Sequence, residues 1–364
     1  MRMVATNRCP SGVRLAKPIY SERGTKLVGE DVELTSGMIE RLKQSGISYL
    51  YVKDKVADDI NVEEPIPMEV RIEAVQTIQS IFTTIQAGYQ KGERLVSPRV
   101  KVDQFRNVFS NLLKAIKESQ RTLSLLTEIH NKDSYVFSHS LNVAIYTIAL
   151  GVKKGYNDQQ LADLGMGALL HDIGKMLIPP AILHKPGKLT EEEFMVVQKH
   201  PEYGFDLLKK EFEISYLSAH CAFQHHERWD GLGYPRGLKG EEIHPYARLM
   251  AVCDVFDAMT SHRVYRNALL PSDSMAWIRS KASVAFEEEA VDIFHRTISL
   301  FPIGMTVQLN TGETAVVIDT NADAPDRPIV RVFKDPNGET LSVFHELDLN
   351  KHVDVTIVGC DTLL

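Results

Sequence analysis

Ten of the 13 histidines in this 364-residue chain fall between His130 and His262, little more than a third of its length. Several stand where a metal ion could be held: His139, His171 with Asp172 beside it, His200, the adjacent His225 and His226, and Asp254 downstream. The stretch Leu169 to Lys175 reads LLHDIGK, an apolar run that ends in an imidazole and a carboxylate and is followed by Gly174 and Lys175. One short segment thus offers two unlike ligands. Singly, each residue has an ordinary reading. His139 suits a core position, and His200, before Pro201, suits a helix end interacting with the macrodipole. Asp254 sits in the apolar run LMAVCDVFDAM, where a buried carboxylate needs a partner that either a metal or an arginine would supply. Together, five imidazoles and two carboxylates exceed what one tetrahedral zinc uses. They suit two octahedral ions of the iron, manganese or nickel type, with Asp172 placed to bridge. On a helix His225 and His226 would point about 100° apart, too divergent for one tight chelate and better suited to two ions, or to one ion and a phosphate. Two closely spaced cations can clamp a phosphodiester and activate water for in-line attack.

The segment HHERWDGLGYPRGLKG, residues 225–240, carries Gly231, Gly233, Gly237, Gly240 and Pro235, so it reads as a shaped loop. Its Trp229, Tyr234, Arg236 and Lys239 can supply stacking and phosphate contacts. Further on, SHRVYR puts Arg263 and Arg266 three apart, close to one helix face and able to grip a phosphate.

The elements that must position these residues are mostly helical. Apolar spacing predicts helices near 68–87 and 105–116, then over 119–130, 134–150, 158–171, 190–199, 201–210, 215–227, 246–260 and 272–299. The stripes of the first two suit core or dimer surface, so a homodimer through these N-terminal helices stands beside an intramolecular bundle. Both ends change character. VRLAKPIY and ISYLYV, and after Pro302 the runs MTVQL, TAVVID, PIVRVF, TLSVF and VDVTIV, read as short strands with NTGE and DPNGE as hairpin turns. The fold class is therefore mainly α, a helical domain flanked by small β-rich modules. The division is 1–65 (β-rich module), 66–130 (amphipathic helical linker or bundle), 131–300 (helical domain with the candidate ligands) and 301–364 (β-rich module).

A hydrophobic share of 44% and 24% charged residues are ordinary for a globular protein. The net charge of −7 argues against DNA as a partner. No apolar run approaches the roughly 18 residues of a membrane span, and the N-terminus lacks a signal-peptide core. Cys9, Cys221, Cys253 and Cys360 lack CxxC spacing and suit a reducing cytoplasm.

In HSLNVA at 139, LLHDIGK at 169, ILHKPGKLT at 182, HP at 200, HHERWDGLGYP at 225 and ARLMAVCDVFDAMTSHRVYR at 247, the sequence resembles the HD-GYP phosphodiesterases of the HD superfamily. The resemblance covers about residues 125–300. It implies an HD-type helical domain that hydrolyses cyclic di-GMP, or a related cyclic dinucleotide, to linear pGpG and in some members onward to GMP. It assigns metal binding to His139, His171, Asp172, His200, His225, His226 and Asp254, with two divalent ions, iron or manganese. Asp172 and Lys175 become the catalytic pair, and Gly233, Tyr234, Pro235, Arg263 and Arg266 lie by the substrate. Some members hold a third metal through a glutamate one turn before the first motif histidine. Here that position is Tyr135, a poor ligand at neutral pH, which favours a binuclear site and pGpG as main product. An HD-superfamily nucleotidase and a non-catalytic cyclic di-GMP-binding adaptor are the competing readings.

Overall fold

The computed structural model describes residues 1–21, 24–47, 49–62, 65–92, 98–119, 135–211, 214–261, 269–321 and 324–360. The helix expected at 119–130 lies almost wholly outside these residues, as do Arg263 and Arg266.

The helical part holds α2 (Met68–Gln90), α3 (Pro98–Glu118), α4 (Tyr135–Lys153), α5 (Asp158–Leu170), α6 (Pro180–Leu183), α7 (Glu191–Val197), α8 (His200–Glu211), α9 (Tyr216–Gln224), α10 (Pro245–Thr260), α11 (Pro271–Ser280) and α12 (Glu288–Thr297). At its centre stands α4, buried on every side from Phe137 to Gly151 and packed between α5 and α10. By length and composition alone α4 could cross a membrane, but 83% of its apolar window is buried inside the fold, which makes it a core helix. Around it lie α2, α3 and α12, while α9 packs on α5 and α10. The apolar stripes of α2 and α3 are consumed within the chain. Ile78, Phe82, Phe105, Val108 and Leu112 join the same core as α4 and α5, and Phe82 meets Phe137 edge-on at 5.9 Å between ring centroids. The expected single helix over 272–299 is two, α11 and α12, separated by a turn with Ser283 in the left-handed region.

Before the helices come β1 (Arg2–Ala5), β2 (Ile19–Tyr20), β3 (Lys26–Val28), α1 (Ser36–Gln44) and β4 (Tyr49–Val52); β1 runs antiparallel to β4, with Arg2 opposite Val52. The Thr35 hydroxyl caps α1 by accepting from the Met38 amide at 3.3 Å. β1 gave no clear sequence signal; four residues are too few for alternation to register.

After them come β5 (Thr306–Leu309), β6 (Thr314–Asp319), β7 (Ile329–Lys334), β8 (Thr340–Asp348) and β9 (Ile357–Cys360), one antiparallel sheet in the order β8-β7-β6-β5-β9, with the expected turns at 310–313 and 335–339. The two terminal modules also meet each other. The Met3 amide donates to Gly304 O at 2.8 Å, and Ala57 and Ile60 pack with Ile303, Val316 and Phe333.

Candidate metal centre

Five helices, α4, α5, α8, α9 and α10, deliver the expected ligands to one place. α5 opens with a reciprocal cap, Asn157 accepting from the Gln160 amide and the Gln160 side chain accepting from the Asn157 amide, and it ends at Leu170. His171 and Asp172 therefore leave the helix together at the centre of the core. A short 3₁₀ turn follows, where Gly174 lies so close to the start of α8 that a Cβ would sit 2.0 Å from His200 O and 2.5 Å from the Gly204 amide. Glycine is what lets the segment and His200 approach. α9 stops at Gln224, so His225 and His226 lie past the regular helix. Consequently the expected divergence of these two rings does not hold. Their centroids are 4.0 Å apart, and both reach the same group as His200.

Two donor groups result, His139 with His171 and Asp254, and His200 with His225 and His226, and a third, His171 with Asp172 and His225, overlaps both; the ligand atoms within each lie no more than 4.8 Å apart. Asp172 stands between the first two. Its Oδ2 is 3.7 Å from His139 Nε2 and 3.5 Å from His171 Nε2, while its Oδ1 is 3.5 Å from His200 Nε2 and 3.8 Å from His225 Nε2. Asp254 reaches across the first group, 3.0 Å from His139 Nε2 and 3.8 Å from His226 Nδ1. All seven are buried except His226, whose side chain is 24% exposed.

The tautomers are set by the surroundings. Nδ1 of His171, His200 and His225 faces the carbonyl three residues earlier, Ala168, Val197 and Ala222, at 2.8, 2.7 and 2.8 Å. A carbonyl only accepts, so Nδ1 carries the proton and Nε2 presents its lone pair inward. The 3.2 Å approach of His200 Nε2 to His225 Nε2 then brings two lone pairs together rather than making a hydrogen bond. A cation between them turns that repulsion into coordination. Two further buried atoms, His171 Nε2 and Asp172 Oδ1, have no hydrogen-bond partner among the described residues. Mixed imidazole and carboxylate donors, orphaned lone pairs and a carboxylate facing both groups fit a pair of divalent ions.

Charge follows burial. Desolvation pushes His171, His200 and His225 below the ordinary histidine range and His226 down to about 4. Burial opposes charge on His139 too, but its hydrogen bonds to Asp254 and Asp257 outweigh that and lift it to about 9. Burial would raise Asp172, yet the Lys175 ammonium and the surrounding imidazoles hold it well below the carboxylate range. Lys175 donates to Asp172 Oδ2 at 2.5 Å.

The loop after His226 closes over the second group. Tyr234 stacks on His226 with 4.7 Å between centroids, and its amide donates to His226 O at 3.2 Å. Gly233 acts through close packing, since a Cβ there would meet the Arg228 amide at 2.4 Å and His226 O at 2.5 Å. Pro235 follows through a cis peptide. Trp229 turns inward, 5.2 Å under the Arg248 guanidinium.

Reasoning from the sequence missed three residues. Asp257, buried on α10, accepts from His139 Nδ1 at 2.7 Å, from Asn142 Nδ2 at 2.9 Å and from the Ser261 hydroxyl at 3.3 Å. It orients His139 as the backbone carbonyls orient the other rings. Glu227, also buried, accepts from the Arg236 and Leu238 amides at 2.8 and 3.0 Å and so pins the loop. The spacing offered one clue: Asn142 and Asp257 each lie one helical turn beyond a ligand, His139 and Asp254.

Residues 114–289 match the family model described as HD domain, and residues 306–363 the one described as KOW domain associated with HD domain. A cyclic di-GMP phosphodiesterase of Pseudomonas aeruginosa is 36% identical over 208 residues, 57% of this chain and 50% of that protein. One from Thermotoga maritima is 32% identical over 243 residues, 65% of this chain and 64% of its own length. A 3'3'-cGAMP-specific phosphodiesterase of Vibrio cholerae is 37% identical over 171 residues, 47% of this chain and 37% of the relative. The chain thus spans half of the first relative and less than two thirds of the second. The ligand-bearing helices thus match an HD domain, and the C-terminal sheet matches a KOW domain of the kind associated with it.

Proposed function

We propose that this protein is a metal-dependent phosphodiesterase that hydrolyses cyclic di-GMP to linear pGpG. One observation carries the reading: the two oxygens of the buried Asp172 face imidazoles of both donor groups, and the Nε2 lone pairs of His171, His200 and His225 are aimed inward. The relatives' names supply the substrate class. His139, His171 and Asp254 would hold one divalent ion and His200, His225 and His226 a second, iron or manganese, with Asp172 shared. When bound, such a pair supplies Lewis-acid polarisation of the diester and a water of lowered pKa.

The chain's own groups do the rest. Asp172 keeps its charge at neutral pH and fixes the spacing of the two groups. Lys175, partly exposed beside Asp172, stabilises charge on the phosphoryl oxygens and donates a proton toward the leaving oxygen. Tyr234 covers the second group, and Arg263 and Arg266 grip the outlying phosphate. At Tyr135 a hydroxyl stands 3.4 Å from His139 Nδ1, with the two rings stacked at 5.3 Å. A binuclear site that accumulates pGpG is therefore part of the proposal. The four unpaired cysteines suit a reducing compartment, and the cytoplasm is proposed on that ground. A homodimer through α2 and α3 is not proposed, because their apolar stripes are already buried within the chain.

The test is turnover of cyclic di-GMP by protein loaded with manganese or, anaerobically, ferrous iron, with products separated by chromatography. Accumulation of pGpG is expected. Binding without turnover under both metals would favour the adaptor reading, and rapid stoichiometric GMP would remove the product assignment. Because one relative is named for 3'3'-cGAMP, that dinucleotide belongs in the same assay.

A further inference from the structure

None of the residues of α7 is buried. The helix is nevertheless fixed at both ends. The Thr190 hydroxyl accepts from the Glu193 amide at 3.2 Å, the Glu193 carboxylate accepts from the Thr190 amide at 2.8 Å, and the Lys185 ammonium donates to both Glu193 oxygens at 2.8 and 2.6 Å. At the far end Val197 O accepts from Nδ1 of the candidate ligand His200. A short helix with no side chain in the core is thus tied directly to the candidate metal centre.

What it presents there is Phe194, 47% exposed. An exposed phenylalanine by itself says little; its neighbours say more. Its ring lies 6.4 Å from Tyr234, nearly perpendicular at 80°, and Tyr234 lies 4.7 Å from His226 and 6.5 Å from His200. Aromatic rings therefore run from the donor atoms out to solvent. Two nearly perpendicular rings make a corner in which one flat heteroaromatic can lie on one face with its edge against the other.

We propose that Phe194 and Tyr234 form a platform for one purine base of the cyclic dinucleotide, the phosphodiester being held at the imidazole and carboxylate groups. The proposal rests on the phosphodiesterase reading. Every base has a π-face, so this platform holds a base without separating guanine from adenine.

The test compares wild type, Phe194→Ala and Phe194→Trp as full-length, manganese-loaded protein on cyclic di-GMP and on methyl p-nitrophenyl phosphate, a purine-free diester. In Phe194→Ala the KM for cyclic di-GMP is expected to rise about 5- to 100-fold, with kcat within about twofold. Phe194→Trp should restore KM, and the purine-free diester should be hydrolysed equally by all three. An unchanged KM in Phe194→Ala overturns the platform, as does an equal loss on both substrates. If wild type hydrolyses neither diester, it is the phosphodiesterase reading that fails. The platform is then judged by calorimetry with cyclic di-GMP, where an unchanged Kd in Phe194→Ala overturns it and a weakened one supports it.

Discussion

In the helical centre seven titratable side chains, from His139 to Asp254, converge where water is largely excluded, whereas at the terminal modules the largely covered Arg331 reaches out to two solvent-exposed carboxylates, Asp59 at 2.6 Å and Glu346 at 2.8 Å. Asp59 and Glu346 are more than half exposed, and water solvates whatever is left if the contact is lost. In the centre the low dielectric makes each unmatched lone pair costly, so the arrangement persists because backbone carbonyls fix His171, His200 and His225, Asp257 fixes His139, and Tyr234 packs on His226. Both regions join residues far apart in the chain. Removing a single group is therefore expected to disable the buried region and to leave the other nearly intact.

The sharpest test of that contrast is Asp172→Ala. It removes the carboxylate facing both imidazole groups, and it should abolish bound metal by elemental analysis and lower kcat by at least about a thousandfold, while far-ultraviolet circular dichroism stays close to wild type. Full activity in this variant would separate Asp172 from the chemistry. Gly174→Ala should come next. The added methyl meets the backbone of α8 and not the flexible end of a side chain, so a stability loss of about 3 kcal/mol or more is expected in chemical denaturation, with weakened metal binding as His200 is pushed away. A neutral result would show that the two segments separate easily.

Acid sharpens the comparison further. In metal-free protein, four imidazoles are depressed by burial, with His226 at about 4. The unfolded chain therefore binds more protons than the folded one between the ordinary histidine value near 6.5 and those lower values. Their contribution to stability is present above about 6.5 and is lost as pH falls toward 4. His139, raised to about 9, has the opposite sign: its contribution is full below 6.5 and disappears as pH rises through 9. Four groups outweigh one in the acid window. With a chelator present, Tm should fall by about 5–10 °C between pH 7 and 5. A flat profile would mean that the rings are hydrated rather than buried.

Much of the candidate site was legible because its residues are uncommon types at motif spacings. LLHDIGK, HP and HHERWDGLGYP name their own ligands. Where they would meet was not legible. Gly174 stood in the sequence only as the glycine after the ligand pair, but its close approach to His200 belongs to packing between two segments. The His225 and His226 geometry was misjudged because it depended on where α9 ends, at Gln224 and not at 227. Asp257 and Asn142 read as ordinary polar interruptions of apolar helices, since a hydrogen-bond partner is chosen across the core and not along the chain. The β-rich ends were visible from alternation, but the Met3 to Gly304 bond that joins them was not, because nothing local encodes pairing across the whole length of the chain.

Asp257→Asn tests how far the central logic extends past the ligands. The amide keeps the size and can still accept from His139 Nδ1, but it lacks the carboxylate charge that makes the imidazole a stronger donor. Manganese affinity, measured by competition with a chromogenic chelator, should fall about 10- to 100-fold with little change in fold. Wild-type affinity would mean that His139 is oriented by packing alone.

Arg331→Ala should give the smallest effect, and that is its use. The guanidinium bridges Asp59, Glu346 and the Val56 carbonyl, as many partners as Asp257 holds in the centre. If contact number decided stability, this variant would rival Asp257→Asn. If solvent decides it, the loss is about 1 kcal/mol or less, shrinks further at high salt, and leaves metal content and kcat untouched. A loss of several kcal/mol that persists in high salt would show that the terminal modules depend on this bridge as the helical centre depends on Asp172.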